Sequence, residues 1–203
     1  MNPKKYLDGV ANLRSVQLVI VGKDPYPNDA TDIPFLKTRM DALFKPNCSG
    51  GIVLEAIGCN ADFLCEKYKD DKEGTLKLFL SLRDKGIVFL NAIYRTDPTE
   101  IGSRIGKARD LAALKEAYEK YNEPVLQKAQ HVIYCGEAKK VQQWVEGAPQ
   151  VDDKNIHAVP HPDKRNSYSK HDEVQKKYKK WWSPGKLRRK LGLELPKGVT
   201  ART

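Results

Sequence analysis

The chain has 203 residues, with 36 Lys and Arg against 26 Asp and Glu, for a formal net charge of +10. That length suits one domain with a substantial core, and 40% hydrophobic with 31% charged residues is the balance of a soluble protein. No apolar run approaches the roughly 20 residues that cross a bilayer, and Met1-Asn2-Pro3-Lys4-Lys5 holds no apolar signal segment. A cytoplasmic chain with no membrane partner is therefore expected.

The basic excess points to an anionic partner, for which nucleic acid is the usual candidate. It is concentrated late, in Lys176, Lys177, Lys179, Lys180, Lys186, Arg188, Arg189 and Lys190. The plainer reading of this run is a solvated basic helix and a basic tail from about residue 183. Trp181 and Trp182 within it read as core anchors. The four cysteines, Cys48, Cys59, Cys65 and Cys135, show no CxxC spacing and read as buried, reduced thiols rather than a zinc or iron–sulfur site.

In chain order, residues 16–21 form a β-branched apolar run that reads as a buried strand. Gly22 ends it, and Pro25 and Pro27 stiffen the loop that carries Asp24 and Tyr26. Residues 49–68 have helical spacing, 69–73 form a charged connector, and 75–85 form a second helix with Gly86 as its terminator. Residues 87–90 are a second strand running into Asn91. Residues 96–107 should be loop, and 108–127 a helix interrupted near Pro124. Residues 132–135 make a third strand stopped by Gly136, followed by a short helix over 138–145. Residues 156–159 are a fourth strand leading to Pro160-His161-Pro162, and 171–182 are a last helix.

Alternating buried strands and helices imply an α/β fold, a three-layer α/β/α sandwich around a central four-stranded parallel sheet. Its ligand edge is the carboxyl end of the strands, where Asp24, Asn91, Gly136 and His161 each follow a strand. Taken singly, Asp24 and Asn91 are turn formers and His161 is a stiff loop residue. Taken together, with Tyr26 and Phe35, they suit the handling of a nucleobase. An Asn amide matches the imide edge of a pyrimidine. A His can donate to a departing oxyanion. An Asp can orient water and favour a cationic sugar.

These residues resemble the uracil-DNA glycosylase superfamily, most closely its family 1 branch. Gly22-Lys23-Asp24-Pro25-Tyr26-Pro27 is similar to the water-activating motif GQDPYH, and Gly86-Ile87-Val88-Phe89-Leu90-Asn91 to the strand GVLLLN. Residues 132–136 resemble the strand leading to the DNA-backbone turn, and Pro160-His161-Pro162-Asp163-Lys164-Arg165-Asn166 the catalytic His and wedge loop. The resemblance implies that Asp24 positions water and His161 stabilises the leaving base. Gly22, Lys23, Tyr26, Phe35 and Asn91 would hold the uracil: Tyr26 excludes thymine, Phe35 stacks and Asn91 reads. Gly136, Lys164, Arg165 and Asn166 would meet DNA, with Arg165 in place of the family's Leu wedge, as in single-strand-selective members. His157, inside a strand, is the weaker acid candidate.

Lys23 and Pro27 stand where the motif has Gln and His, while Glu137 and Asp163 replace phosphate-binding Ser. The expectation is one domain over residues 1–203, a monomer that excises uracil from DNA without metal or cofactor. Alternatives are a glycosylase for hypoxanthine or xanthine, and a non-catalytic DNA-binding member. A flavodoxin-like nucleotide binder lacks its glycine-rich phosphate loop here.

Overall fold

The structure, a computed structural model, describes residues 3–23, 33–94, 108–141 and 155–200. Their elements run α1 (Pro3–Ala11), β1 (Val16–Gly22), α2 (Met40–Leu43), α3 (Ser49–Ala56), α4 (Ala61–Lys67), α5 (Gly74–Asp84) and β2 (Ile87–Asn91). Then follow α6 (Ala108–Ala117), α7 (Glu123–Leu126), β3 (Ala129–Cys135), β4 (Ile156–Val159), α8 (Asp172–Trp182) and α9 (Lys186–Leu191). A π-turn occupies Tyr118–Asn122, and 3₁₀ turns occupy Gly136–Val141 and Lys164–Tyr168. Among the described residues, no helix is long and apolar enough to cross a membrane.

The fold is α/β, with one parallel sheet of four strands in the order β2-β1-β3-β4. Contacts divide the chain into two compact units. One comprises Met1–Pro34 and Gly86–Ala158, the other Phe35–Lys85 and Val159–Thr203.

In the first unit β1 is buried along its length except at Gln17, as the β-branched run requires. Its register aligns Val21 with Leu90 of β2 and with Tyr134 of β3, and Gly22 with Asn91. Gly86 makes the entry to β2 possible. It sits at φ +74°, and a Cβ there would lie 3.1 Å from both the Gln17 nitrogen and the Ser15 oxygen. Its carbonyl accepts from the Gln17 and Leu18 amides at 2.9 and 3.1 Å, tying the two strand starts together. On β2, the Phe89 N–H donates to the hydroxyl of Tyr6 at 3.0 Å. β4 departs from the buried strand expected: it lies at the end of the sheet, and only Val159 of its four residues is buried.

The expected helix over 108–127 is broken by the π-turn just before Pro124, whose ring nitrogen offers no donor to a continuous helix. The expected helix over 138–145 is a 3₁₀ turn as far as Val141, and its remainder lies outside the described residues, as does the expected loop over 96–107.

In the second unit the expected helix over 49–68 is two helices. Gly58, at φ +100°, ends the first, and Asn60 caps the second by accepting from the Phe63 amide at 2.7 Å. Trp181 and Trp182 are buried, as anchors should be. The segment after Trp182 is not a free basic tail. Leu187, Leu193 and Val199 are buried, and the Val199 and Gly198 carbonyls accept from the Asn60 amide at 3.0 Å and the Lys67 ammonium at 2.9 Å. The reason is apolar spacing hidden among the charges. Even Lys190 is committed, its ammonium lying 3.6 Å from the centre of the Trp181 ring. Of the thiols, Cys59 and Cys135 are buried whereas Cys48 and Cys65 are half-buried; burial pushes Cys59 up to about 12.

Leu187→Ala should cost about 2–5 kcal/mol in urea unfolding, whereas Lys186→Gln on the exposed face should leave the midpoint in place. Equal, small effects would show that α9 does not help hold its unit.

Candidate active site

The carboxyl ends of the strands carry the candidate residues of the first unit. Parallel register places Gly22 beside Asn91, and the Gly22 and Lys23 carbonyls accept from the amides of Ala92 and Ile93 at 2.8 and 2.9 Å. The exits of β1 and β2 are thus stitched together one residue past the sheet. Gly136 leaves β3 at φ +58°, a left-handed turn that a glycine takes without strain.

Asn91 is fully buried. Its backbone is closed into a hydrogen-bonded ring. The Asn91 N–H donates to the Tyr94 hydroxyl at 3.3 Å, which donates to Asn122 Oδ1 at 3.1 Å, while Asn122 Nδ2 returns to the Asn91 carbonyl at 2.9 Å. Burial drives the Tyr94 phenol far above its usual range, so it stays a neutral donor. The Asn91 side chain is left over. Neither Oδ1 nor Nδ2, both inaccessible to solvent, has a hydrogen-bond partner among the described residues. A buried amide in that state costs free energy and calls for an explanation.

Tyr94 and Asn122 were not foreseen. Asn122 is buried in helical sequence where Asn is unfavourable, immediately before a Glu-Pro pair, and that misfit was the readable signal. The π-turn is what turns its amide toward β2. Nothing in the spacing around Tyr94 could have announced its role.

Asp24 and Tyr26 lie outside the described residues. In the second unit Phe35 is buried and holds φ +64°, a conformation unusual for an aromatic residue. A Cβ on Gly50 would lie 2.0 Å from the Phe35 carbonyl oxygen, so glycine lets the backbones touch. His161 is half-buried in a loop fastened on both sides. The Pro160 carbonyl accepts from the Trp182 indole N–H at 2.8 Å, and the His161 carbonyl from Asn166 Nδ2 at 2.8 Å and from the Asp163 amide at 2.7 Å. The Asn166 amide, expected on DNA, therefore steadies the histidine loop.

Arg165 is 89% exposed and folded back on Asp163, donating through Nε at 2.9 Å and again through Nη2. That fork, chiefly, holds the Asp163 carboxyl below its usual range. Asp163, which as a bare acid would repel phosphate, is accordingly neutralised by its neighbour but one. Lys164 beside it is exposed.

Among the described residues no group of three or more His, Cys, Asp or Glu side chains is placed to hold a metal ion. The chain matches no family model, and no curated protein matches it.

Asn122→Ala should strip the Tyr94 hydroxyl of its acceptor and the Asn91 carbonyl of its donor, and cost about 1–3 kcal/mol by chemical denaturation. Wild-type stability in this variant would show that the ring does not hold β2's end.

Proposed function

We propose that the chain is a monofunctional uracil-DNA glycosylase, hydrolysing the bond between uracil and deoxyribose in DNA. The observation that carries the reading is the Asn91 side chain, buried at the strand ends with both polar atoms unpartnered among the described residues while its backbone is locked. The imide edge of uracil offers a donor at N3 and an acceptor at O4, which match Oδ1 and Nδ2. A site built to hydrogen-bond a substrate edge pays in unpaired groups when that edge is absent.

The rest of the mechanism rests on the resemblance. The base is flipped out of the stack, at a few kcal/mol, least for a mispaired or single-stranded site. Asp24 orients the attacking water and favours positive charge on the sugar as the glycosidic bond breaks. His161 donates to the uracil oxygen on which negative charge collects. Phe35 stacks on the base and Tyr26 bars the thymine methyl. Gly22, Lys23 and Gly136 line the approach, and Lys164 and Arg165 meet the strand. Pairing of Asp163 with Arg165 supports DNA binding, since it removes a bare carboxylate from the contact loop.

Release of free uracil from a uracil-containing oligonucleotide, with hypoxanthine and xanthine substrates alongside, tests the proposal; no release of uracil by the full chain would sink it. Asn91→Ala and His161→Ala should each lower the single-turnover rate by about 10²–10³-fold. Asn91→Ala should do so without loss of stability, because it deletes an amide that has no partner among the described residues. A variant that unfolds readily would mark Asn91 as a structural residue.

A second expectation concerns Arg165. To enter the space left by a flipped nucleotide it must let go of Asp163. Arg165→Ala should then slow excision from duplex DNA more than from single strands, since only the duplex leaves a hole to fill and an orphaned base to contact. Equal losses on the two substrates would reduce Arg165 to a phosphate contact.

A further inference from the structure

The second unit contains a pocket of about 350 Å³, lined among others by Phe44, Lys45, Glu55, Lys164, Tyr178 and Trp182, of which the proposed excision draws only on Lys164. Its walls are chemically divided. Lys45 and Lys164 are exposed cations at its margin. Glu55 is half-buried on α3, and its carboxyl has neither hydrogen bond nor ion pair among the described residues. Burial, with the charge of Asp62 behind it, raises that carboxyl above its usual range. Tyr178 is only 8% exposed, and its hydroxyl likewise has no partner among the described residues. Glu55 and Tyr178 line the same pocket. Phe44 and Trp182 supply apolar surface.

A ligand for this pocket must meet three demands together. It needs hydrogen-bond donors for an unpaired carboxylate, negative charge for two ammonium groups, and a flat apolar body between them. Inorganic phosphate satisfies the lysines alone and is repelled by Glu55. An amine satisfies Glu55 alone and is repelled by the lysines. A nucleotide carries both ends on one frame. Among the bases, guanine presents two adjacent donors, N1–H and the N2 amino group, to one carboxylate, whereas adenine and cytosine place an acceptor beside their amino group and uracil has a single N–H. Two parallel donors on a carboxylate make the stronger, charge-assisted pairing, and the volume suits one nucleotide.

We propose that the Glu55–Tyr178 pocket binds a guanine nucleotide, free or as one unit of a strand. Glu55 accepts from N1 and N2, the Tyr178 hydroxyl is available to the O6 side, and Lys45 and Lys164 meet the phosphate. The proposal does not depend on glycosylase activity.

Calorimetric titration of the full chain with 5′-GMP, 5′-AMP and inorganic phosphate tests it. GMP should bind saturably, AMP at least tenfold more weakly, and phosphate more weakly still. Glu55→Gln, with its fold checked by melting, should erase the preference for GMP, and Lys45→Ala should weaken GMP and AMP alike. An all-thymine oligodeoxynucleotide with and without one central guanine separates the sources. GMP-competitive binding that needs the guanine assigns the pocket to a strand, and its absence beside GMP binding assigns it to a free nucleotide. Equal affinity for GMP and AMP, or no saturable GMP binding, overturns the proposal in the wild-type chain alone. A folded Glu55→Gln that keeps the preference overturns it as well. Uracil release assayed on the same preparation keeps the two readings apart.

Discussion

β1 is hydrogen-bonded to parallel strands on both flanks, and this double pairing decides where the candidate residues of the first unit can stand. Parallel strands in matched register end level with one another, so Gly22, Asn91 and Cys135 fall in neighbouring positions and the chain leaves all three strands on the same side. A slip of one residue would turn every side chain to the opposite face of the sheet. It would carry Asn91 away from the side where its amide now sits. The burial of β1 and of all five β2 residues makes such a slip costly, because it would have to exchange core faces on both strands.

Within that frame, Asn91 and Asn122 are the same kind of residue in opposite service. Both are wholly buried. Asn122 spends its amide on the backbone of β2 and on Tyr94, and thereby holds the peptide of Asn91 still. Asn91 leaves its own amide unspent among the described residues. On the proposed reading, the side chain is aimed before any base arrives, and little ordering remains to be done on binding. Stability is conceded at one asparagine for readiness, and supported by the other.

The strands were legible because short β-branched runs closed by glycine or a polar residue have few other uses; three of the four are buried as that pattern demands. Gly86 could be read as a helix terminator for the same reason, since its left-handed φ suits little else. Gly58 and Asn60 carried equally clear stop and start signals, but apolar spacing running through them masked the break between α3 and α4. α1 and α9 are short and charged, and their burial rests on Tyr6 and Val10 in the one and Leu187 in the other, too few apolar residues for periodicity to stand out. Asn91 could be found from its place after a strand. Its hydrogen-bonded ring could not, because Tyr94 and Asn122 meet it through a turn and a π-helical irregularity that no spacing rule anticipates. The fork between Asp163 and Arg165 is local and could have been suspected, yet in the sequence Asp163 reads only as an acid in place of a Ser and Arg165 only as a DNA contact.

One contact of the first helix bears on how the molecule keeps company with its own copies. β2 ends one side of the sheet, and an outermost strand displays unused amides that can recruit a strand from another chain. The hydroxyl of Tyr6 occupies the amide of Phe89, in the middle of that strand. An incoming strand would have to displace a buried tyrosine to continue the ladder. The apolar segment Ile87-Val88-Phe89-Leu90 has the composition of a sequence that stacks into fibrils when laid bare. A single phenol from a nine-residue helix thus does the work that prolines and lysines do on the borders of other sheets.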